Sequence, residues 1–240
     1  MTAAIGLYSR LRLPNPWEAA TTPIPLIVYG ASGAVGSYAI KLARASNIHP
    51  IIAIAGKGQT YVETLIDRHR GDTIVDYRNG DENVVERIKD ALKKAGQDTV
   101  SYAFDTISEK GSYQNIIKIL KDGGHITLVL PEKDYSDIPK KFTHSVTYVG
   151  SAHLDVEEDS WLKEQAKQGI RTGGKHFALV YFRLFGQALQ EGWLKGHPYE
   201  VVPGGLDGVQ TALSNLVAGK ASAVKYIFKI ADTAGTGSGS

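Results

Sequence analysis

From Pro25 onward, short β-rich runs alternate with segments of helical period, the pattern of a parallel sheet covered by helices. The pattern predicts strands at Leu26–Tyr29, Ile51–Ala55, Thr73–Asp76, Val100–Asp105, 125–130 and 146–150, with helices over 34–46, 60–69, 81–95, 108–121 and 157–168. Val35, Ala39, Leu42 and Ala43 share one face of the first of these helices, and Val84, Val85, Ile88 and Leu92 share one face of the third. Asp81 and Ser108 are expected N-caps, and Gly123 and Gly124 fall where a helix should end and the next strand begin. Six strands joined by helical crossovers make an α/β, doubly wound parallel sheet.

Past residue 170 the rhythm changes. A long apolar helix is expected at "KHFALVYFRLFGQALQEGWL", followed by "YEVVP", an amphipathic helix at "LDGVQTALSNLVAG" and a last strand at "AVKYIFKI". These closing elements lack the βα alternation and are candidates for a second sheet.

The candidate chemistry sits at the first turn of the alternating series, "PLIVYGASGAVGSYAI". Gly30-x-x-Gly33-x-x-Gly36 between a strand and a helix suits a diphosphate, because glycine permits a tight turn and close backbone approach while the helix N-terminus offers free N–H groups. The same glycines could serve only the turn and the helix-to-strand contact. At the end of the next strand, where an acid about 20 residues beyond the glycines would accept the ribose hydroxyls of NAD, the chain has Ala55, Gly56, Lys57 and Gly58. The 2′-phosphate of NADPH is favoured, with Lys57 as its point-charge partner; the competing reading is a solvated loop lysine.

Composition narrows the alternatives. The 240 residues are 42% hydrophobic, enough to bury a full core, and 27 basic residues against 25 acidic ones form no stripe of the kind that tracks a phosphate backbone, so nucleic acid is not an expected partner. Absence of cysteine removes disulfides, thiolate nucleophiles and cysteine zinc sites. No run reaches the ~20 apolar residues that a membrane-spanning helix needs, and the first twenty residues do not read as a signal peptide, so a cytoplasmic protein is the expectation. His49, His69, His125, His144, His153, His176 and His197 show no paired ligand spacing, so no metal is expected. No G-x-S-x-G elbow or G-K-[ST] loop is present. Tyr113 and Lys118 stand one residue too far apart for the tyrosine–lysine pair of short-chain dehydrogenases.

Taken in order, "GASGAVGSYAIKLA", "DYRNGDENVVERI", "FDTIS", "LKDGGHITLV" and "LVAGKASAVKYIFKI" resemble the medium-chain dehydrogenase/reductase superfamily, in its zinc-free quinone oxidoreductase and fungal trans-enoyl reductase branch. The resemblance covers nearly the whole chain. It implies a Rossmann sheet of order 3-2-1-4-5-6 with NADPH across the carboxyl ends of its strands. By that resemblance Gly30, Gly33, Ala34, Val35 and Gly36 hold the pyrophosphate, Gly56, Lys57 and Tyr77 line the adenosine 2′-phosphate, and Asp105, Thr106 and Leu130 approach the nicotinamide half. Many relatives carry their phosphate-binding lysine in the helix after the second strand; here that helix has Tyr61, Val62 and Glu63, and Lys57 has to substitute.

The resemblance further implies a dinucleotide-binding domain over 1–196 with a leading helix and linker at 1–22, the closing part of a GroES-like catalytic domain at 197–231 whose N-terminal part is absent, and a flexible tail at 232–240. The implied activity is hydride transfer from NADPH to a quinone, enone or enoyl-type acceptor, a small molecule with a conjugated carbonyl. No catalytic side chain is identified. A non-catalytic NADPH-binding regulator of the NmrA-like kind is the competing function; its motif opens the chain, whereas here it follows a helix and the linker "WEAATTPIP". The apolar "SVTYVGSAH" is expected to be a sheet edge through which two copies pair.

Overall fold

The computed structural model describes residues 1–167 and 174–234. Its main sheet has six strands: β1 (Leu26–Tyr29), β2 (Ile51–Ala55), β3 (Thr73–Asp76), β4 (Val100–Asp105), β5 (Leu120–Leu128) and β6 (Thr143–Val146). They lie in the order β3-β2-β1-β4-β5-β6, every neighbouring pair parallel. The doubly wound α/β expectation is met. Strand order reverses between β1 and β4, so the crevice at their carboxyl ends is the topological switch point.

Both sheet faces are buried, which is why the strands read as continuous apolar runs. Leu26, Val28, Ile51 and Ala53 join one core with α1 (Thr2–Ala4), the wider-turned stretch Ile5–Arg10 that continues it, α2 (Ala34–Ala45) and Tyr181. Ile27, Tyr29, Ile52 and Ile54 point the other way, toward Val84, Ile88 and Leu92 of α4 (Asp81–Lys94) and Ile116 of α5 (Ser112–Ile117). Each fully buried Val, Leu or Ile contributes about 1.5–3 kcal/mol, so these two cores carry most of the fold. Arg10, 1% exposed, anchors the leading segment through a 2.8 Å ion pair with Asp159, whose carboxylate also accepts from the Leu162 N–H in the first turn of α6 (Ser160–Lys167).

The remaining elements are α3 (Gln59–Glu63), α7 (Gly174–Gln190), β7 (Tyr199–Val202), α8 (Val209–Val217) and β8 (Lys225–Phe228). β7 and β8 pair parallel in a separate two-stranded sheet, as the break in rhythm implied. No helix among the described residues is long and apolar enough to cross a membrane.

Several expected elements differ. β6 lies at 143–146 rather than 146–150, and Val149–His153 is a 3-10 turn, so most of the expected edge strand is not strand. β5 starts at Leu120, where pairing with Val100 overrides the helical spacing of Ile116, Ile117 and Leu120; Gly123 and Gly124 then lie inside the strand. α5 is correspondingly short, and Ser108 is no N-cap: it has φ +60° and its buried hydroxyl donates to Asp105 O and accepts from Val129 N, while Gly111 precedes the helix. Asp81 opens α4 rather than capping it and accepts from Asn115 Nδ2. α3 covers four residues, 60–63, of the expected 60–69 helix, followed by a separate turn at Arg68–Arg70. Residue 168 of the expected fifth helix and residues 235–240 of the expected tail lie outside the described residues.

His125 on β5 accounts for a pH dependence. Burial, with the Arg12 and His144 charges nearby, lowers its pKa from 6.5 to about 4, so the folded chain holds it neutral. Its contribution to stability is complete above pH 6.5 and is lost as pH falls toward 4, on the order of 3 kcal/mol in all. Urea unfolding between pH 7 and 4 should show this loss in the parent chain and a flatter profile in His125→Gln; parallel profiles would refute the assignment.

Candidate functional site

The carboxyl ends of β1 to β4 open into a cleft of about 810 Å³, within the 300–1,000 Å³ usual for ligand sites. Its floor is the turn after β1. Gly30 adopts φ +77°, and its carbonyl accepts from Gly33 N at 3.0 Å. Gly36 presses against the same carbonyl: a Cβ there would stand 2.3 Å from Gly30 O and 2.9 Å from Ala31 Cα. Gly33 leads into α2 in extended conformation and no side chain caps the helix. Ala34 and Val35 line the cleft, leaving the first N–H groups and the positive end of the α2 dipole turned toward it. An anion fits that position.

The side walls come from β2 and β3. Gly56 and Lys57 follow β2; Lys57 is exposed, and the Tyr77 ring lies so close to Gly56 that a Cβ would meet it at 2.7 Å. Tyr77 also stands 6.4 Å, centroid to centroid, from Tyr29. Beside it Arg78 makes a forked contact with Asp76, Nη2 to Oδ2 at 2.6 Å and Nε to Oδ1 at 2.9 Å, which holds the Asp76 carboxyl down to about 2. The carboxylate at the end of β3 is thereby occupied and Arg78 itself lines the cleft. Lys57, Arg78, Lys110 and Lys225 outnumber the single acid in the lining, Glu109.

The outer wall is the C-terminal segment, with Leu216, Gly219 and residues 221–225 facing the first turn. Three loops meet at Gly58, where a Cβ would stand 2.4 Å from Ser32 Cβ and 3.1 Å from Ala223 Cβ. The segment is held to α2 by Lys41 Nζ, which donates to Lys195 O at 2.9 Å and Gly196 O at 3.2 Å, and by a 2.9 Å hydrogen bond between Ser37 Oγ and His197 Nδ1. Burial and the charges of Lys41 and Lys225 lower the His197 pKa, favouring the neutral ring.

Of the residues singled out from sequence, Gly30, Gly33, Ala34, Val35, Gly56, Lys57, Tyr77 and Thr106 line one cleft. Thr106 Oγ donates to Tyr29 O at 2.7 Å. Gly36 lies behind the lining as the contact that seats α2. Asp105 does not face the cleft: it is fully buried, accepts from the Ile107 and Ser108 N–H groups and Ser112 Oγ, and burial raises its pKa. It shapes the loop after β4 from beneath. Leu130, two residues past β5, is outside the lining, and its carbonyl accepts from Tyr135 OH. Arg78, His197 and Lys225 were not singled out. "DYR" places Arg78 beside Tyr77 at a strand end, a readable signal; nothing in local spacing shows that residues 197 and 225 return to the first turn.

At 48% identity over 206 residues, the chain is similar to the trans-enoyl reductase fsr4 of Gibberella fujikuroi, a match covering 85% of this chain and 55% of that protein. This match supports the medium-chain dehydrogenase/reductase-like assignment made from the sequence. The chain is also similar to the trans-enoyl reductase eqxC of Fusarium heterosporum, at 27% identity over 236 residues, covering 96% of this chain and 62% of the relative. It thus spans somewhat over half the length of these curated relatives. Among solved structures, the JamJ enoyl reductase in its apo form superposes with a TM-score of 0.63 at 17% identity, covering 94% of this chain and 60% of that one. A mutant enoyl thioester reductase of Candida tropicalis gives 0.59 at 16%, covering 95% and 58%. At these identities the structures attest the fold alone. No family model matches the chain.

Gly36→Ala tests the floor of the cleft. Its methyl would meet backbone rather than a movable side chain, so the α2 N-terminus must shift. The expected outcome is a lower melting temperature, about 1–3 kcal/mol of overpacking cost, with loss of dinucleotide binding by titration. Unchanged binding would show that the turn geometry does not matter.

Proposed function

We propose that this chain forms the cofactor-binding half of an NADPH-dependent oxidoreductase acting on a quinone, enone or enoyl-type acceptor. The observation that carries the cofactor reading is the pair of cations, Lys57 and Arg78, at the carboxyl ends of β2 and β3, with Asp76 already held by Arg78. An NAD-selective site needs a free carboxylate there for the ribose hydroxyls. The names of the relatives, trans-enoyl reductases, support the enoyl member of that acceptor class.

On this reading the pyrophosphate rests on the N–H groups that open α2, and Gly30 and Gly33 give it backbone clearance. Lys57 and Arg78 hold the 2′-phosphate, Arg78 through the guanidinium N–H groups that Asp76 leaves open and Lys57 as a point charge. Tyr77 and Ile107 offer apolar flanks for the adenine, and Thr106 is assigned to the nicotinamide end. Bound NADPH would supply a hydride to an electron-poor carbon conjugated to a carbonyl. The protein's own task is positioning: the rigid βα turn fixes the cofactor, and the segment around 197 and 221–225 shields it from water.

Fluorescence titration with both nucleotides tests the reading. NADPH should bind more tightly than NADH, and Lys57→Ala and Arg78→Ala should each weaken NADPH about tenfold or more, the worth of one charge-assisted phosphate contact, while leaving NADH affinity nearly unchanged. Equal weakening of both nucleotides would refute the 2′-phosphate assignment. Turnover of a quinone and enone panel with NADPH then tests the acceptor class.

A further inference from the structure

A second hollow, of about 790 Å³, lies away from the cofactor cleft, at the amino ends of the strands. It is built where the C-terminal part of α2, the turn at Arg68–Arg70, the turn at Pro16–Glu18 and the end of α7 converge. Two of the three tryptophans face it. Trp17 is 57% exposed, with its ring against Tyr181 at 5.5 Å; Trp193 is 39% exposed, with Nε1 donating to Glu191 at 3.1 Å. Indole rings left half in solvent around a concavity are an unsatisfied apolar surface of the kind that planar ligands cover.

The hollow is also cationic. Lys41, Arg44 and Arg70 line it, and among the described residues none of the three forms an ion pair. Their hydrogen bonds go to neutral oxygens: Lys41 to two carbonyls, Arg44 to Leu65 O at 2.7 Å, Arg70 to Asn47 Oδ1 at 2.5 Å. Half-burial without a counter-charge lowers the Lys41 pKa. His49 is already matched by Asp72 at 2.8 Å, and Asp67, the one acid in the lining, accepts from the His69 N–H. The α2 dipole accounts for a cation at the end of that helix. It does not account for Arg70, which comes from another element, or for Lys41, a full turn earlier.

We propose that this hollow is a binding site for a small aromatic anion, an aryl carboxylate or aryl phosphate, with its ring against Trp17 and Trp193 and its charge toward Arg44 and Arg70. The site is separate from the cofactor cleft and does not depend on the cofactor assignment.

The test is titration of the protein with 2-naphthoate, followed by tryptophan fluorescence quenching and by calorimetry, beside the neutral 2-naphthalenemethanol. The expected result is saturable 1:1 binding of naphthoate, at least tenfold tighter than the alcohol, unaffected by excess NADPH. Arg70→Gln should weaken it about tenfold, one charge-assisted contact, and Trp193→Leu should weaken both probes. Melting temperatures of the two variants identify any that has lost its fold, and calorimetry on the intact one then decides. Equal binding of acid and alcohol, unchanged naphthoate affinity in Arg70→Gln, or competition by NADPH would overturn the proposal.

Discussion

The contact between Gly36 and the Gly30 carbonyl sets the position of almost everything else that bears on function. It brings the first turn of α2 against the end of β1 with no side chain between them, and the turn that results leaves the helix N-terminus uncapped. A buried uncapped terminus would be costly; here it opens on the cleft, where water or an anion satisfies it. On the proposed function the packing requirement and the binding requirement are met by the same glycines, so the two readings open at the sequence level are complementary.

The walls follow from where parallel strands end. β1 to β4 finish at one level, so residues scattered from 29 to 107 in sequence surround one space. The C-terminal segment then closes it from outside, fixed by two side chains of α2, Ser37 and Lys41, that stand one turn apart and reach residues 195–197. The helix that presents its N-terminus to the cleft therefore also holds the cleft's far wall.

Much of this was legible in sequence because it depends on local chemistry. Apolar runs between turn residues matched β1 to β4 within the expected bounds, and the absence of an acid after β2 pointed to the basic character of that corner. What was not legible depends on tertiary pairing. Leu120 reads as the end of a helix until Val100 pairs with it, and Tyr148 and Val149 read as strand until the chain turns into a 3-10 helix. Asp105 has the residue type and position of a ligand, yet three hydrogen bonds from the following loop and the start of α5 occupy its carboxylate. His197 and Lys225 enter the cleft only through the return of the chain, which no local spacing records.

The most direct measurement is amide hydrogen exchange with and without NADPH. The N–H groups that open α2 have no intrahelical acceptors and should exchange quickly in the free protein. NADPH should slow exchange in peptides covering 33–37 and 221–225 together, with no change in 175–190. Protection absent from 33–37, or confined to a region away from the ends of β1 to β4, would contradict the account.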